Sequence, residues 1–306
     1  MTPALELFSE YRTPGSSSPW RPSPAQATLI GSSSVFLWAV WPSLAVLAFP
    51  TPTFQTLAIG MAVGFLCLAC LRVLRGENLR GMVPRSLGLL VAGVIGILGT
   101  NAFNFVAITR ISPAQASAIA YLWPMMAIVL AGALGLKRLH FRHGIAVLLG
   151  LVGAVLVIDP FGAISFDFIG IGCALLAGLS WASYTVYRMI DHRAGSDAVG
   201  IYSLIAAILC FALHVQFEPT HPMSAVQFGA IVALGIAPMG LANAAWDYGV
   251  SRGDARTLSI LAYGTPLVAT LLLVVLGLAA VTPSFLVGAA LIIAAAAIGT
   301  WPAHSN

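Results

Sequence analysis

The chain has 306 residues, of which 59% are hydrophobic and only 8% charged, with a net charge of +4. Soluble domains carry roughly 25% charged residues, so too little charge is present here to cover a soluble surface. The composition excludes a soluble enzyme, a nucleic-acid binder and a disordered chain, and points to a polytopic membrane protein.

Residues 1–24 stand apart, with Pro3, Pro14, Pro19, Pro22 and Pro24 around the run Ser16-Ser17-Ser18. That is the composition of a disordered tail, expected on the cytoplasmic side. It lacks the basic start, apolar core and small-residue cleavage site of a signal peptide. From residue 25, punctuation by Pro, Gly and charge divides the chain into ten apolar segments: 25–47, 54–74, 85–108, 113–136, 143–159, 167–190, 197–216, 224–250, 255–279 and 284–301. A membrane helix needs about 20 such residues. The loops between them are too short to hold a soluble domain. With a cytoplasmic N-terminus, the inner segments carry Arg12 and Arg21, then Arg72, Arg75, Arg80 and Arg85, then Lys137, Arg138 and Arg142, then Arg188 and Arg193, then Arg252 and Arg256. Of the 14 basic residues only Arg110 falls on an outer loop. Over short loops that asymmetry predicts ten helices with both termini cytoplasmic. Cys67, Cys70, Cys173 and Cys210 all lie inside apolar segments and read as packing residues. Cys67 and Cys70 form a CxxC with no further ligand nearby, so no disulfide, metal or cofactor is expected.

The chain also repeats itself. A shift of 142 residues places Gly93 on Gly235, Asn101 on Asn243, Arg110 on Arg252, Ser117 on Ser259, Tyr121 on Tyr263 and Pro124 on Pro266, without a gap. A shift of 143 places Trp38 on Trp181. The predicted organisation is two five-helix halves, residues 25–159 and 167–301. Five is odd, so the second half enters the membrane upside down. Inverted repeats mark transporters whose substrate site lies near the midplane between the halves.

Ten helices in a five-plus-five inverted repeat resemble the drug/metabolite transporter superfamily in its EamA-type branch. Ser180-Trp181-Ala182-Ser183-Tyr184 and Asn243-Ala244-Ala245-Trp246 are similar to that family's helix-6 and helix-8 patterns. Tyr121-Leu122-Trp123-Pro124 is similar to the Tyr-Leu-Trp-Pro of its aromatic amino acid exporters, the YddG group. The resemblance implies export of a small molecule across the inner, plasma membrane, amino acids foremost. It also points to Trp123 and Trp181 as cavity residues. Asp247 departs from the amide expected after the helix-8 Trp.

Side chains costly in lipid mark the candidate cavity. Asn101 and Asn104 share a face of helix 3, and Asn243, Trp246 and Asp247 share the equivalent face of helix 8. Such stripes line a wet cavity or join helices by hydrogen bonds. Asp247 is the one acid well inside a predicted span. Three roles stay open for it: a structural partner, a contact for a substrate ammonium, or a proton-coupling site. Trp38, Trp41, Tyr121, Trp123, Trp181, Tyr184 and Tyr263 fall mid-span, where their N–H and O–H groups need partners that a cavity can supply. Pro42, Pro124, Pro238 and Pro266 each remove a backbone hydrogen bond and predict kinks, either gating elements or static bends. Gly60 and Gly64 read as close helix packing. No Lys or Arg lies in the middle of a predicted span, which disfavours phosphate-bearing substrates.

HExxH, GxSxG and P-loop motifs are absent, so the expectation is not an enzyme. It is a secondary exporter of small neutral metabolites, amino acids including aromatic ones, working by alternating access. The expected partners are that small molecule and the bilayer, without nucleic acid. Oligomeric state stays open, a monomer included. The competing readings are an exporter of cationic drugs or of other metabolites, and a membrane receptor or scaffold that does not transport.

Overall fold

The computed structural model describes residues 22–84, 86–111, 116, 119–136, 141–158, 166–191, 195, 197–275 and 281–300. The expected tail up to residue 21, Arg85, Lys137, Arg138 and Arg193 lie outside the described residues. The described elements are all helical. In chain order they are α1 (Pro24–Ala39), α2 (Trp41–Ala48), α3 (Thr53–Leu74), α4 (Leu87–Val94), α5 (Thr100–Ile108), α6 (Trp123–Ala133), α7 (Phe141–Ile158), α8 (Phe168–Ile190), α9 (Ala198–Phe217), α10 (Ala225–Leu234), α11 (Asn243–Arg252), α12 (Ala255–Leu261), α13 (Gly264–Val275) and α14 (Pro283–Thr300). Among the described residues six stretches are long and apolar enough to cross a bilayer: Pro24–Ala48, Thr53–Leu74, Leu87–Ile108, Phe168–Ile190, Ala198–Phe217 and Ala225–Arg252. Trp123–Ala133, Gly144–Val157 and Pro283–Ala295 are shorter apolar helices.

Three of the expected spans are interrupted by turns. Turns at Tyr121-Leu122 and at Ala262-Tyr263 precede α6 and α13. Pro124 is therefore not a mid-helix kink but sits in the first turn of α6, and Pro266 is the third residue of α13. That is where a ring without an N–H is tolerated. Pro42 likewise sits in the first turn of α2, after a break at Val40. Pro238 lies inside a π-helical segment, Gly235–Ala242, that joins α10 to α11. A second π segment, Ile95–Gly99, joins α4 to α5 without any proline. The 142-residue shift carries 95–99 onto 237–241, so both halves widen the helix at the same place. Such π-bulges are frequent at functional sites.

Packing between the halves follows the repeat. α1 packs on α11 while its counterpart α8 packs on α5. α3 packs on the Gly235–Ala242 segment and its counterpart α9 on Ile95–Gly99. Small residues permit these crossings. A Cβ on Gly31 would lie 2.8 Å from Gly249 Cα, and one on Gly64 would lie 3.1 Å from the Gly235 carbonyl oxygen. Gly60 and Gly64 thus seat α3 against the second π segment. α7 and α14 pair in the same way, Gly153 against Gly288.

Candidate functional site

The repeated π segments set the two cavity asparagines. A π turn leaves a carbonyl without its usual i+4 donor. Asn101 Nδ2 donates to the Ile97 carbonyl at 2.8 Å, and Asn243 Nδ2 donates to the Met239 carbonyl at 3.1 Å. These bonds occupy equivalent positions in the two halves. They hold both asparagines at the start of the next helix, facing a cavity between the halves.

That cavity measures about 180 Å³ and is partly open. One water needs only about 10–15 Å³ of such space, so a small organic molecule fits. Trp38, Trp41 and Pro42 line one side; Thr100, Asn101 and Asn104 another; Ala120, Tyr121 and Trp123, with Ala262 and Thr265, the third. Ala177, Gly178 and Trp181 of α8 complete the wall with Pro238, Met239 and Asn243. No charged side chain is among them.

The aromatic rings interlock at the floor. Trp38 meets Trp181 edge-on at 5.4 Å and Trp246 at 5.3 Å, and Trp246 meets Trp123 at 5.2 Å. Trp38 Nε1–H donates to Asn243 Oδ1 at 3.0 Å, and Trp246 Nε1–H donates to Thr185 Oγ1 at 3.3 Å. Trp41 rests against Phe105 at 5.5 Å.

Of the residues expected at the cavity wall, Trp38, Asn101, Tyr121, Trp123, Trp181 and Asn243 line it, with Pro42 and Pro238. Four others lie behind it. Trp246, Tyr184, Tyr263 and Asp247 are each at most 2% exposed and do not reach the lining. Tyr263 packs on Gly150 of α7, where a Cβ would meet its ring at 2.6 Å. Pro124 and Pro266 also stand back from the cavity. Thr100, Met239 and Thr265 were not singled out from the sequence, because isolated hydroxyls and a methionine give no pattern at helical spacing.

Asp247 is paired, and its partner corrects a second expectation. Arg188 is not a loop charge at the membrane surface but is 1% exposed inside the bundle. Its Nε and Nη2 donate to Asp247 Oδ1 and Oδ2 at 2.5 and 2.8 Å. Its Nη1 donates to the Asp191 carbonyl at 2.5 Å, and Tyr184 OH donates to Asp247 Oδ1 at 2.5 Å. A two-pronged guanidinium–carboxylate contact satisfies both charges in a place where either alone would be costly. The pair ties α8 to α11. It lies on the side of the floor toward the end of the bundle that carries Arg72, Arg75, Arg252 and Arg256, here called the Arg-rich end. The cavity lies on the other side of the floor.

The opposite end is held by Glu218. Its carboxylate accepts from the backbone N–H groups of Phe54 and Gln55 at 3.0 and 3.1 Å, capping α3, whose own N-cap residue is a proline. His214 Nδ1 lies 3.0 Å from the same carboxylate. On that end Asp167 caps α8 through the Gly170 N–H at 2.7 Å and faces Arg110 at 3.5 Å. The Gly170 N–H, aided by Arg110, holds the Asp167 carboxyl below the usual carboxylate range.

Two stretches of the chain, residues 26–159 and 168–301, each match the EamA-like transporter family. The chain belongs to this family. It is a multi-pass protein of the inner, plasma membrane, and a transporter rather than an enzyme. Over 282 residues it is 32% identical to a protein of Ancylobacter novellus named aromatic amino acid exporter YddG, an alignment that covers 91% of this chain and 98% of that one. A solved crystal structure superposes with a TM-score of 0.84 at 32% identity, covering 91% of this chain and 99% of the other.

Proposed function

We propose that this EamA-family transporter exports amino acids, aromatic ones foremost, by alternating access through the cavity between its two halves. The observation that carries this reading is the cavity's lining: four tryptophans and a tyrosine beside neutral amides and hydroxyls, with no charged side chain among the described residues. Tryptophan faces suit a flat apolar side chain. Neutral amides suit a zwitterion, whose two charges cancel, better than a phosphate dianion, which needs cations.

In this reading the chain crosses the membrane ten times, as inverted repeats with both termini cytoplasmic, and the Arg-rich end faces the cytoplasm. The cavity then faces outward. The tryptophan floor and the Tyr184–Asp247–Arg188 cluster close the cytoplasmic side. Export alternates this state with one in which that cluster parts and the opposite end closes. Asp247 neither lines the cavity nor lacks a counter-charge, so the cation-drug reading loses the anion that favoured it.

The test is flux in proteoliposomes loaded with labelled phenylalanine, tryptophan, alanine and a sugar phosphate, with and without a pH gradient. The expected result is saturable flux of the aromatic amino acids, cut at least tenfold in Trp123→Ala, with no movement of the sugar phosphate. Folded protein that moves none of the amino acids would sink the proposal.

A further inference from the structure

We infer that Trp181 and Asn101 hold the charged head of the substrate, which takes the place of a hydrogen bond that the equivalent residues make in the other half of the cavity. The inference deepens the amino-acid reading above and rests on it.

The repeat supplies the comparison. Asn101 corresponds to Asn243 and Trp38 to Trp181. Both asparagines spend Nδ2 on equivalent carbonyls, those of Ile97 and Met239. Each amide is thereby oriented with Oδ1 available to the facing half. Asn243 Oδ1 accepts from Trp38 Nε1–H at 3.0 Å. The equivalent bond, from Trp181 to Asn101, is not made. Neither Trp181 Nε1 nor Asn101 Oδ1 has a protein partner among the described residues, and both residues line the cavity. The helices that carry them, α8 and α5, pack together as α1 and α11 do. One Trp–Asn pair is therefore closed and its counterpart is left open.

An indole N–H only donates and an amide oxygen only accepts. Together they are complementary to a zwitterion. The substrate carboxylate accepts from Trp181 Nε1–H, and the ammonium donates to Asn101 Oδ1. Asn104, three residues further along α5, adds a second acceptor: its Oδ1 is buried without a partner, and Asn104 lines the same cavity. An ammonium carries three donors and uses both oxygens. When the transporter changes state the two pairs exchange roles. Trp181 closes on Asn101 as the substrate leaves, and Trp38 and Asn243 open. Polar groups that would otherwise stay unpaired in a low-dielectric site are thus satisfied in each state.

The test is calorimetric titration of the full chain in lipid nanodiscs with phenylalanine, phenethylamine (no carboxylate) and 3-phenylpropionate (no ammonium). Trp181→Phe keeps an aromatic ring and removes the N–H. It is expected to weaken phenylalanine and 3-phenylpropionate about tenfold, the effect of one lost hydrogen bond to a charged group, and to leave phenethylamine unchanged. Asn104→Leu is expected to do the reverse, weakening phenylalanine and phenethylamine and sparing 3-phenylpropionate. If Trp181→Phe does not fold, Asn101→Leu takes its place and is expected to weaken phenylalanine and phenethylamine and spare 3-phenylpropionate. Wild type that binds phenylalanine while both variants match it within twofold, or lose all three ligands equally, overturns this inference and leaves the amino-acid reading standing. Folded wild type that binds none of the three overturns both.

Discussion

Truncating Asp247 tests the energetics of the buried cluster. In Asp247→Ala, Arg188 keeps the Asp191 carbonyl at 2.5 Å but loses both contacts to the carboxylate, at 2.5 and 2.8 Å. In the intact protein Arg188 is 1% exposed, a place where a lost partner is costly. Removing one partner of a buried ion pair costs about 3–5 kcal/mol. Tyr184 OH loses its acceptor as well, which adds about 1–3 kcal/mol where nothing replaces it. The two losses together are expected to cost about 4–8 kcal/mol. Asp247→Asn keeps one acceptor, for Tyr184, but turns an NH2 donor toward the guanidinium and leaves the Arg188 charge uncompensated, so about 3–5 kcal/mol is expected, less than for Asp247→Ala. The informative control is the double variant Arg188→Met with Asp247→Leu. It leaves no uncompensated charge, only the Tyr184 hydroxyl without its acceptor, and is expected within about 1–3 kcal/mol of wild type. Thermal unfolding in detergent micelles, followed by far-UV circular dichroism, reads all three, at about 2–4 °C per kcal/mol for chains of 150–250 residues. Two results refute the reasoning: Asp247→Ala melting with wild type, or the double variant melting as low as Asp247→Ala.

Two further predictions concern the end of the bundle away from the cluster. Glu218→Ala removes the carboxylate that caps α3 at Phe54 and Gln55. It should destabilise the protein by about 0.5–2 kcal/mol and speed hydrogen exchange at those two amides, whereas unchanged exchange there would refute the cap. The Asp167 carboxyl is depressed by the Gly170 N–H, so its stabilising contribution is full above the ordinary aspartate value of about 3.9 and is lost as pH falls through the lower folded value. Acid unfolding of wild type should steepen over that window, and Asp167→Asn should remove that steepening.

The cavity was legible in the sequence to the extent that the repeat was. Asn101 and Asn243 stand out because amides are costly in lipid, and the 142-residue shift shows that they occupy one position twice. Trp38 and Trp181 stand out for the same reason. The sequence does not show that one Trp–Asn pair is bonded and the other open, because both have the same local pattern. Arg188 was misread because it stands near a helix end, where a basic residue ordinarily reports topology. A signal was available: Trp181, Tyr184 and Arg188 follow at i, i+3 and i+7 on one helical face, and Asp247 needed a cation. The signal was weak because the two partners are 59 residues apart.

Composition alone determined the solvent, since a chain with 8% charged residues cannot cover a soluble surface. Periodic identity determined the two halves, because a helix pattern carried over 142 residues without a gap preserves which residues share a face. Tertiary structure decided what those faces meet. Gly31 against Gly249 and Gly64 against Gly235 bring the halves close enough for Trp38 to reach Asn243, and the packing of α8 on α11 within the second half brings Arg188 to Asp247. The π segments at Ile95–Gly99 and Gly235–Ala242 depend on that packing too. Only one of the two contains a proline, so the widening they share follows from the contacts around them rather than from a local residue signal.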